Sequence, residues 1–265
     1  VPVHQNVFEE TAQLKQANTA FAVATVIEIK GSSSGKPGDK AVYDESGRRI
    51  AGWVGGGCVE RIVGETVKEA LADGMPHSVH IDLKGDDLLL SIPCGGEITI
   101  MVEPQQRSPI LFIRGTGRLV EVLSEIGSLL DFRVVVQTPE EEAARHPHAH
   151  QVITENLDID QLQLRPGYLV LAAHHPNDNL DALKALKLGV PYVAVVASKK
   201  RGGLIIKYLR ENGADDKDLE RFHAPAGLDL KARTPEEIAL SVMSEIVLLR
   251  NGGTGRPMRL ATGKD

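Results

Sequence analysis

Apolar positions follow two different rhythms along this chain, and the change falls at the polar, proline-flanked segment Glu103-Pro-Gln-Gln-Arg-Ser-Pro109. Upstream, Ala22 to Ile29, Ile81 to Leu83, Leu88 to Ile92 and Ile98 to Val102 are short apolar runs bounded by turn formers, which predicts strands. Helical spacing appears twice: over Val7 to Ala17, and over Val59 to Ala72, where Val59, Ile62, Val63, Val67, Ala70 and Leu71 share one face. The pattern predicts a mixed α+β domain over residues 1–104 with long, glycine-lined loops. Downstream, the strands Ile110 to Ile113, Arg133 to Val136, Tyr168 to Ala172 and Tyr192 to Val196 alternate with helices at Leu119 to Leu130, Asn179 to Leu186 and Leu204 to Asn212. Strands apolar on both faces, with helices between them, predict a parallel, Rossmann-like sheet over residues 108–250. Thr234-Pro-Glu-Glu237 carries an N-cap, a proline at the first helical position and a capping-box glutamate, so a last helix starts there. Asn251-Gly-Gly stops it, and residues 251–265 read as a flexible tail.

Composition narrows the class. In 265 residues, 30 basic side chains against 36 acidic ones leave a net charge of −6. No basic excess exists to release counterions, so nucleic acid is not an expected partner. The 42% apolar fraction suffices for packed cores, yet no run approaches the roughly 18 apolar residues of a membrane span. Val1 to Glu10 lacks the basic-then-apolar pattern of a signal peptide, and only two cysteines are present, too few for a disulfide framework. A reduced, cytoplasmic, globular protein is expected.

Both cysteines adjoin a glycine run. Gly55, Gly56 and Gly57 precede Cys58 at the start of a predicted helix, where backbone N–H groups and the helix end favour an anion and a thiol is favoured as thiolate. Cys94 precedes Gly95 and Gly96 between two predicted strands. If the loops converge, two soft ligands and many amide donors meet, a set suited to copper, zinc or molybdenum-type chemistry. A small buried cysteine in a tight turn, or a disulfide, is the plainer reading of the same residues. The loop Gly31-Ser-Ser-Ser-Gly35-Lys36-Pro37-Gly38 is no P-loop, because the glycine spacing is short and Pro37 occupies the hydroxyl position. Ser32, Ser33 and Lys36 still make an oxyanion cradle, or else a surface loop.

Gly115-Thr-Gly117 lies between a strand and a helix, as in a dinucleotide fold. Val120, however, holds the third glycine position, and Gln137 stands where a ribose-binding acid belongs, so NAD(P) is not an expected cofactor. A phosphate or another anion could still dock at Gly115 and Gly117. His146, His148 and His150 fall in a polar segment read as a solvated loop. His174 and His175 follow a strand, at the edge where open α/β sheets bind ligands, and His223 precedes a loop before the last helix.

Taken together, GSSSGKPGDKAVYDESG, GGGCVE, PCGGEITIMVEP, YVAVVASKKR, HAPAGLDL and TPEEIALSVMSEIV resemble the XdhC/CoxI family over nearly the whole chain. These are accessory proteins of molybdenum hydroxylases such as xanthine dehydrogenase and carbon monoxide dehydrogenase. The resemblance implies a chaperone rather than an enzyme: transient binding of molybdenum cofactor and its delivery to an apo molybdenum hydroxylase. A cysteine desulfurase and cofactor-biosynthesis proteins are implied further partners, with a homo-oligomer as the assembly. Two departures stand out, Ser34-Gly35 where members often carry Pro-Arg, and the altered Gly115 to Val120 turn. The competing readings are an NAD(P)-dependent oxidoreductase built on the second domain and a thiol-based redox or metal-trafficking protein using the first.

Overall fold

The polar stretch between the two rhythms is where the backbone changes partners. The computed structural model describes residues 6–83, 95–162, 167–172 and 177–258, and the chain divides into the units Val1–Arg107 and Ser108–Asp265. The first runs α1 (Val7–Gln16), β1 (Phe21–Lys30), β2 (Lys40–Asp44), β3 (Arg49–Gly52), α2 (Cys58–Asp73), β4 (His77–Asp82) and β5 (Glu97–Gln105). Its sheet has the order β3-β2-β1-β5-β4, and every neighbouring pair is antiparallel. Alternation in β1 sends Ala22, Ala24 and Val26 to the face covered by α2, where they meet Val59, Val63, Val67 and Ala70. Each fully buried valine there contributes about 1.5–3 kcal/mol relative to exposure. The opposite face holds Phe21, Val42 and Ala51 against Val7 and Leu14 of α1. The β2–β3 hairpin is absent from the periodicity reading, and the run Leu88 to Ile92 lies outside the described residues.

The second unit runs β6 (Ile110–Arg114), α3 (Arg118–Leu129), β7 (Arg133–Gln137), β8 (Gln151–Ile153), β9 (Gly167–Leu171), α4 (Asp178–Lys187), β10 (Tyr192–Val195), α5 (Lys199–Glu211), α6 (Asp216–Glu220), β11 (Phe222–His223) and α7 (Pro235–Asn251), with 3-10 turns at Glu140–Arg145 and Ile159–Gln161. The six strands are all parallel in the order β11-β10-β9-β6-β7-β8. Leu111 and Ile113 pack with α3 and α7, while Phe112 between them packs with α4 and α5. Both faces of β6 are therefore buried, which is why its sequence runs apolar without alternation. Gly127 lets α3 approach the sheet closely: a Cβ there would lie 2.6 Å from Leu111 Cδ2 and 3.0 Å from Val134 Cγ2. That close approach sits two turns beyond Val120, which is itself fully buried. Thr234 caps α7, accepting from Glu237 N–H, and Gly252 ends it in the left-handed region. Among the described residues no helix is long and apolar enough to cross a membrane.

Candidate functional site

In the first unit, three chain segments meet backbone to backbone. β1 ends at Lys30, paired with Glu97 of β5, and Gly31 then turns the chain with φ +79°. A Cβ on Gly96 would lie 2.3 Å from Ser32 O, a distance that excludes a side chain, and one on Gly31 would lie 3.1 Å from Gly95 O, a tight contact at a φ that already favours glycine. Gly35 is buried against the next segment, where a Cβ would lie 3.1 Å from Val54 O. That segment continues through Gly55, Gly56 and Gly57 into α2, whose first residue is Cys58. Gly57 is the N-cap with φ 56°, and it provides no capping side chain. Cys58 is half-buried, while Gly56, Gly57, Ser32 and Lys36 are exposed. The 31–39 loop is internally braced: Gly35 N–H donates to Ser33 Oγ at 3.3 Å and Lys36 N–H to Asp39 Oδ2 at 2.8 Å. The structure thus brings Gly31 and Ser32 to Gly95 and Gly96, and Gly35 to the segment that leads into Cys58, while Ser33 braces its own loop. Cys94 lies outside the described residues.

In the second unit, the strand order reverses between β6 and β9, which places Gly115 and Gly117 at the switch point of the sheet. Gly117 is the N-cap of α3 with φ 78°. Its N–H donates to Glu142 Oε2 at 3.2 Å, so one of the chain's own carboxylates is seated at the helix end. Arg145 holds that carboxylate through both oxygens, at 3.0 and 3.1 Å. Its Nε lies 2.5 Å from Glu121. The hydrogen bond from Arg118, with Arg145 adding to it against the cost of burial, keeps the Glu121 carboxyl below its ordinary range. Gln137 occupies the expected ribose position but points into the protein. Its carbonyl accepts from Arg114 Nε at 2.7 Å and its amide donates to Glu155 O at 2.8 Å. Arg114 is buried at the end of β6, where it also pairs with the buried Asp181 and donates to Leu157 O at 3.0 Å. His174 and His175 lie outside the described residues.

The three spaced histidines do not converge, and the solvated-loop expectation holds for only two of them. His148 and His150 are exposed, the latter accepting from Val134 N–H at 3.2 Å. His146 is 3% exposed, with both ring nitrogens unpartnered, and burial pushes its pKa down. His223 stacks on Tyr192 with ring centroids 4.5 Å apart, and its Nδ1 lies 3.4 Å from Glu245. Burial raises the Glu245 pKa, but His223, the Tyr192 hydroxyl at 2.7 Å and Gly227 N–H at 3.0 Å outweigh it and leave the carboxyl below its usual value. Among the described residues no group of three histidine, cysteine or carboxylate side chains could hold a metal ion. Sequence reading missed Glu142, Asp181 and Glu245, because each acts on a residue far along the chain. Arg114 alone carried a signal, a charge closing an apolar strand just before a glycine turn.

Residues 111–246 match the family model described as the XdhC Rossmann domain, and residues 14–82 match that of the XdhC and CoxI family. The chain belongs to this family. It is 29% identical over 263 residues to the uncharacterized protein YqeB of Escherichia coli K12, covering 94% of this chain. The chain spans 47% of the length of YqeB. It is 22% identical over 285 residues to the molybdenum cofactor insertion chaperone PaoD of the same organism, covering 93% of this chain and 89% of PaoD. A crystal structure from Bacillus halodurans, described as a xanthine dehydrogenase, aligns with a TM-score of 0.48 at 19% identity, over 96% of this chain and 97% of that one.

Proposed function

We propose that this chain binds molybdenum cofactor at the loop cluster of its first unit and delivers it to an apo molybdenum hydroxylase. It is a cargo carrier, and the hydroxylase does the chemistry. The observation that carries the reading is the meeting of three glycine-lined segments, one of which leads into α2, beside the half-buried Cys58. The cargo joins a sulfur-binding metal, a pterin and a phosphate. Cys58 offers the metal a sulfur ligand. The exposed N–H groups of Gly56 and Gly57, at the amino end of a 16-residue helix, match an anion or a pterin edge. Lys36 adds a cation on the neighbouring loop. Family membership and the function named for PaoD support the same assignment. The second unit does not hold NAD(P) tightly on this reading, because the Gln137 side chain is already engaged by Arg114 and Glu155 and presents no acid to a ribose.

The test is to purify the full chain anaerobically from cells that make molybdenum cofactor and to quantify molybdenum and oxidised pterin per chain. Wild type should carry both, and Cys58→Ser should lose more cargo than Cys94→Ser, because Cys58 has the helix end behind it. Equal cargo in wild type and Cys58→Ser would refute the assignment. Low-micromolar NAD or NADP binding by the wild-type preparation would promote the oxidoreductase reading instead.

A further inference from the structure

The amino end of α3 is an anion site with an anion already in it. Glu142 reaches it from the 3-10 turn after β7, contributing a carboxylate where the N-cap, Gly117, has no side chain to offer. Around it, three carboxylates (Glu121, Glu142 and Glu236) share two guanidinium groups. Arg118 bonds Glu236 at 2.8 Å and Glu121 at 3.2 Å, and Arg145 forms ion pairs with Glu121 and Glu142. The positive end of the 12-residue helix supplies what the two arginines do not. Glu142 is not sealed in: its side chain is 22% exposed, Thr116 is exposed, and a Cβ on Gly117 would meet nothing within 4 Å.

A second observation marks the closed arrangement as incomplete. His146, four residues beyond Glu142, is 3% exposed with neither ring nitrogen bonded, and the charges acting on it are those of Glu121, Glu142 and Arg145. A buried imidazole in the field of this cluster has hydrogen-bonding capacity that no group among the described residues uses.

We propose that Glu142 is an internal stand-in for a phosphate, and that a phosphate- or diphosphate-bearing ligand displaces it from Gly117 to bind there. An incoming phosphate takes over the Gly117 N–H and the Arg145 Nη1 contact, brings more negative charge than the carboxylate it displaces to the positive helix end, and offers acceptor oxygens to the unpaired His146. Closure by Glu142 weakens any such ligand by the closing equilibrium. A charge-assisted hydrogen bond of ordinary strength makes that about 10- to 100-fold. The site lies in the second unit and goes beyond the cargo reading, which rests on Cys58.

Calorimetric titration of the full chain with inorganic diphosphate tests it, using wild type, Glu142→Ala and Glu142→Gln. Glu142→Ala should bind about 10- to 100-fold more tightly than wild type, with Glu142→Gln between them because the amide oxygen keeps an acceptor without the charge. In wild type, saturating diphosphate should raise amide hydrogen exchange across residues 140–150 as the turn lets go. Parallel titrations with NAD and with a simple phosphate monoester tell a dinucleotide source from a single phosphate. Equal affinity in wild type and Glu142→Gln, which preserves the side-chain shape should the alanine variant misfold, would overturn the proposal. Diphosphate binding that leaves exchange at 140–150 unchanged would do the same. Neither result touches cargo retention at Cys58, since no cargo enters the titration.

Discussion

Arg114→Met should be the most damaging single change in the second unit. Arg114 is 8% exposed, and its guanidinium serves three acceptors on three separate segments: Gln137 Oε1, Asp181 and Leu157 O. Methionine preserves the apolar stem but leaves Asp181, itself 2% exposed, as a buried carboxylate without a cation. Removing one partner of a buried pair costs about 3–5 kcal/mol, most of it the desolvation of the abandoned charge. The Leu157 carbonyl is partly spared, because Gln137 Nε2 also donates to it at 3.3 Å. Removing both charges in Arg114→Met/Asp181→Leu should recover most of the loss, leaving about 1–2 kcal/mol for the unpaired Gln137 carbonyl. Urea unfolding followed by near-ultraviolet circular dichroism records both units, Tyr168, Tyr192 and Tyr208 in the second and Tyr43 and Trp53 in the first, so a transition absent from tryptophan fluorescence belongs to the second unit. The fluorescence of Trp53, the one tryptophan, reads the first unit as an internal control. A loss under 1 kcal/mol in Arg114→Met, or a double variant no better than the single one, would refute the reasoning.

Two further outcomes are expected. Gly96→Ala forces a Cβ to within 2.3 Å of Ser32 O and should cost about 1–3 kcal/mol together with cargo retention, whereas Gly56→Ala, with nothing within 4 Å, should fold normally; melting curves and molybdenum per chain separate the two. His146, whose pKa burial depresses, takes up a proton at lower pH in the fold than in the unfolded chain, where the ordinary pKa is about 6.5. The stability contributed by the neutral ring is therefore complete above that pH and is lost as pH falls below it, so His146→Phe should flatten the stability curve between about pH 7 and 5. Identical pH dependence in the two proteins would contradict this.

Much of this architecture could be read from spacing alone. Val59, Val63 and Val67 announce a helix with one buried face, the Thr234 to Glu237 capping box announces the start of α7, and unbroken apolar runs announce a parallel sheet. What escaped was short or non-local. β2 and β3 are only 5 and 4 residues long and carry too few alternating positions to register. α5 begins at Lys199, five residues before its apolar stripe, because Lys199, Lys200 and Arg201 are poor signals at the positive end of a helix. At the candidate site, the glycine runs beside both cysteines were visible, while the approach of Gly31 to Gly95 and Gly96 depends on the pairing of β1 with β5. The Glu142 contact spans 25 residues, and no local pattern encodes it.

The pairing of β1 with β5 also sets an order of events during synthesis. β1 is the middle strand of the first sheet, and its partner β5 begins about 70 residues after it ends, with Phe21 opposite Gln105 and Lys30 opposite Glu97. Until β5 leaves the ribosome, β1 has β2 on one side and bare backbone on the other, an open edge of the kind that invites pairing between chains. A fragment ending near Asp82 would keep that edge permanently and is an aggregation hazard. The loop cluster is completed by the same late strand, since Gly95 and Gly96 lead into it, so the cargo site proposed above would not exist in a nascent chain until the first unit is essentially whole.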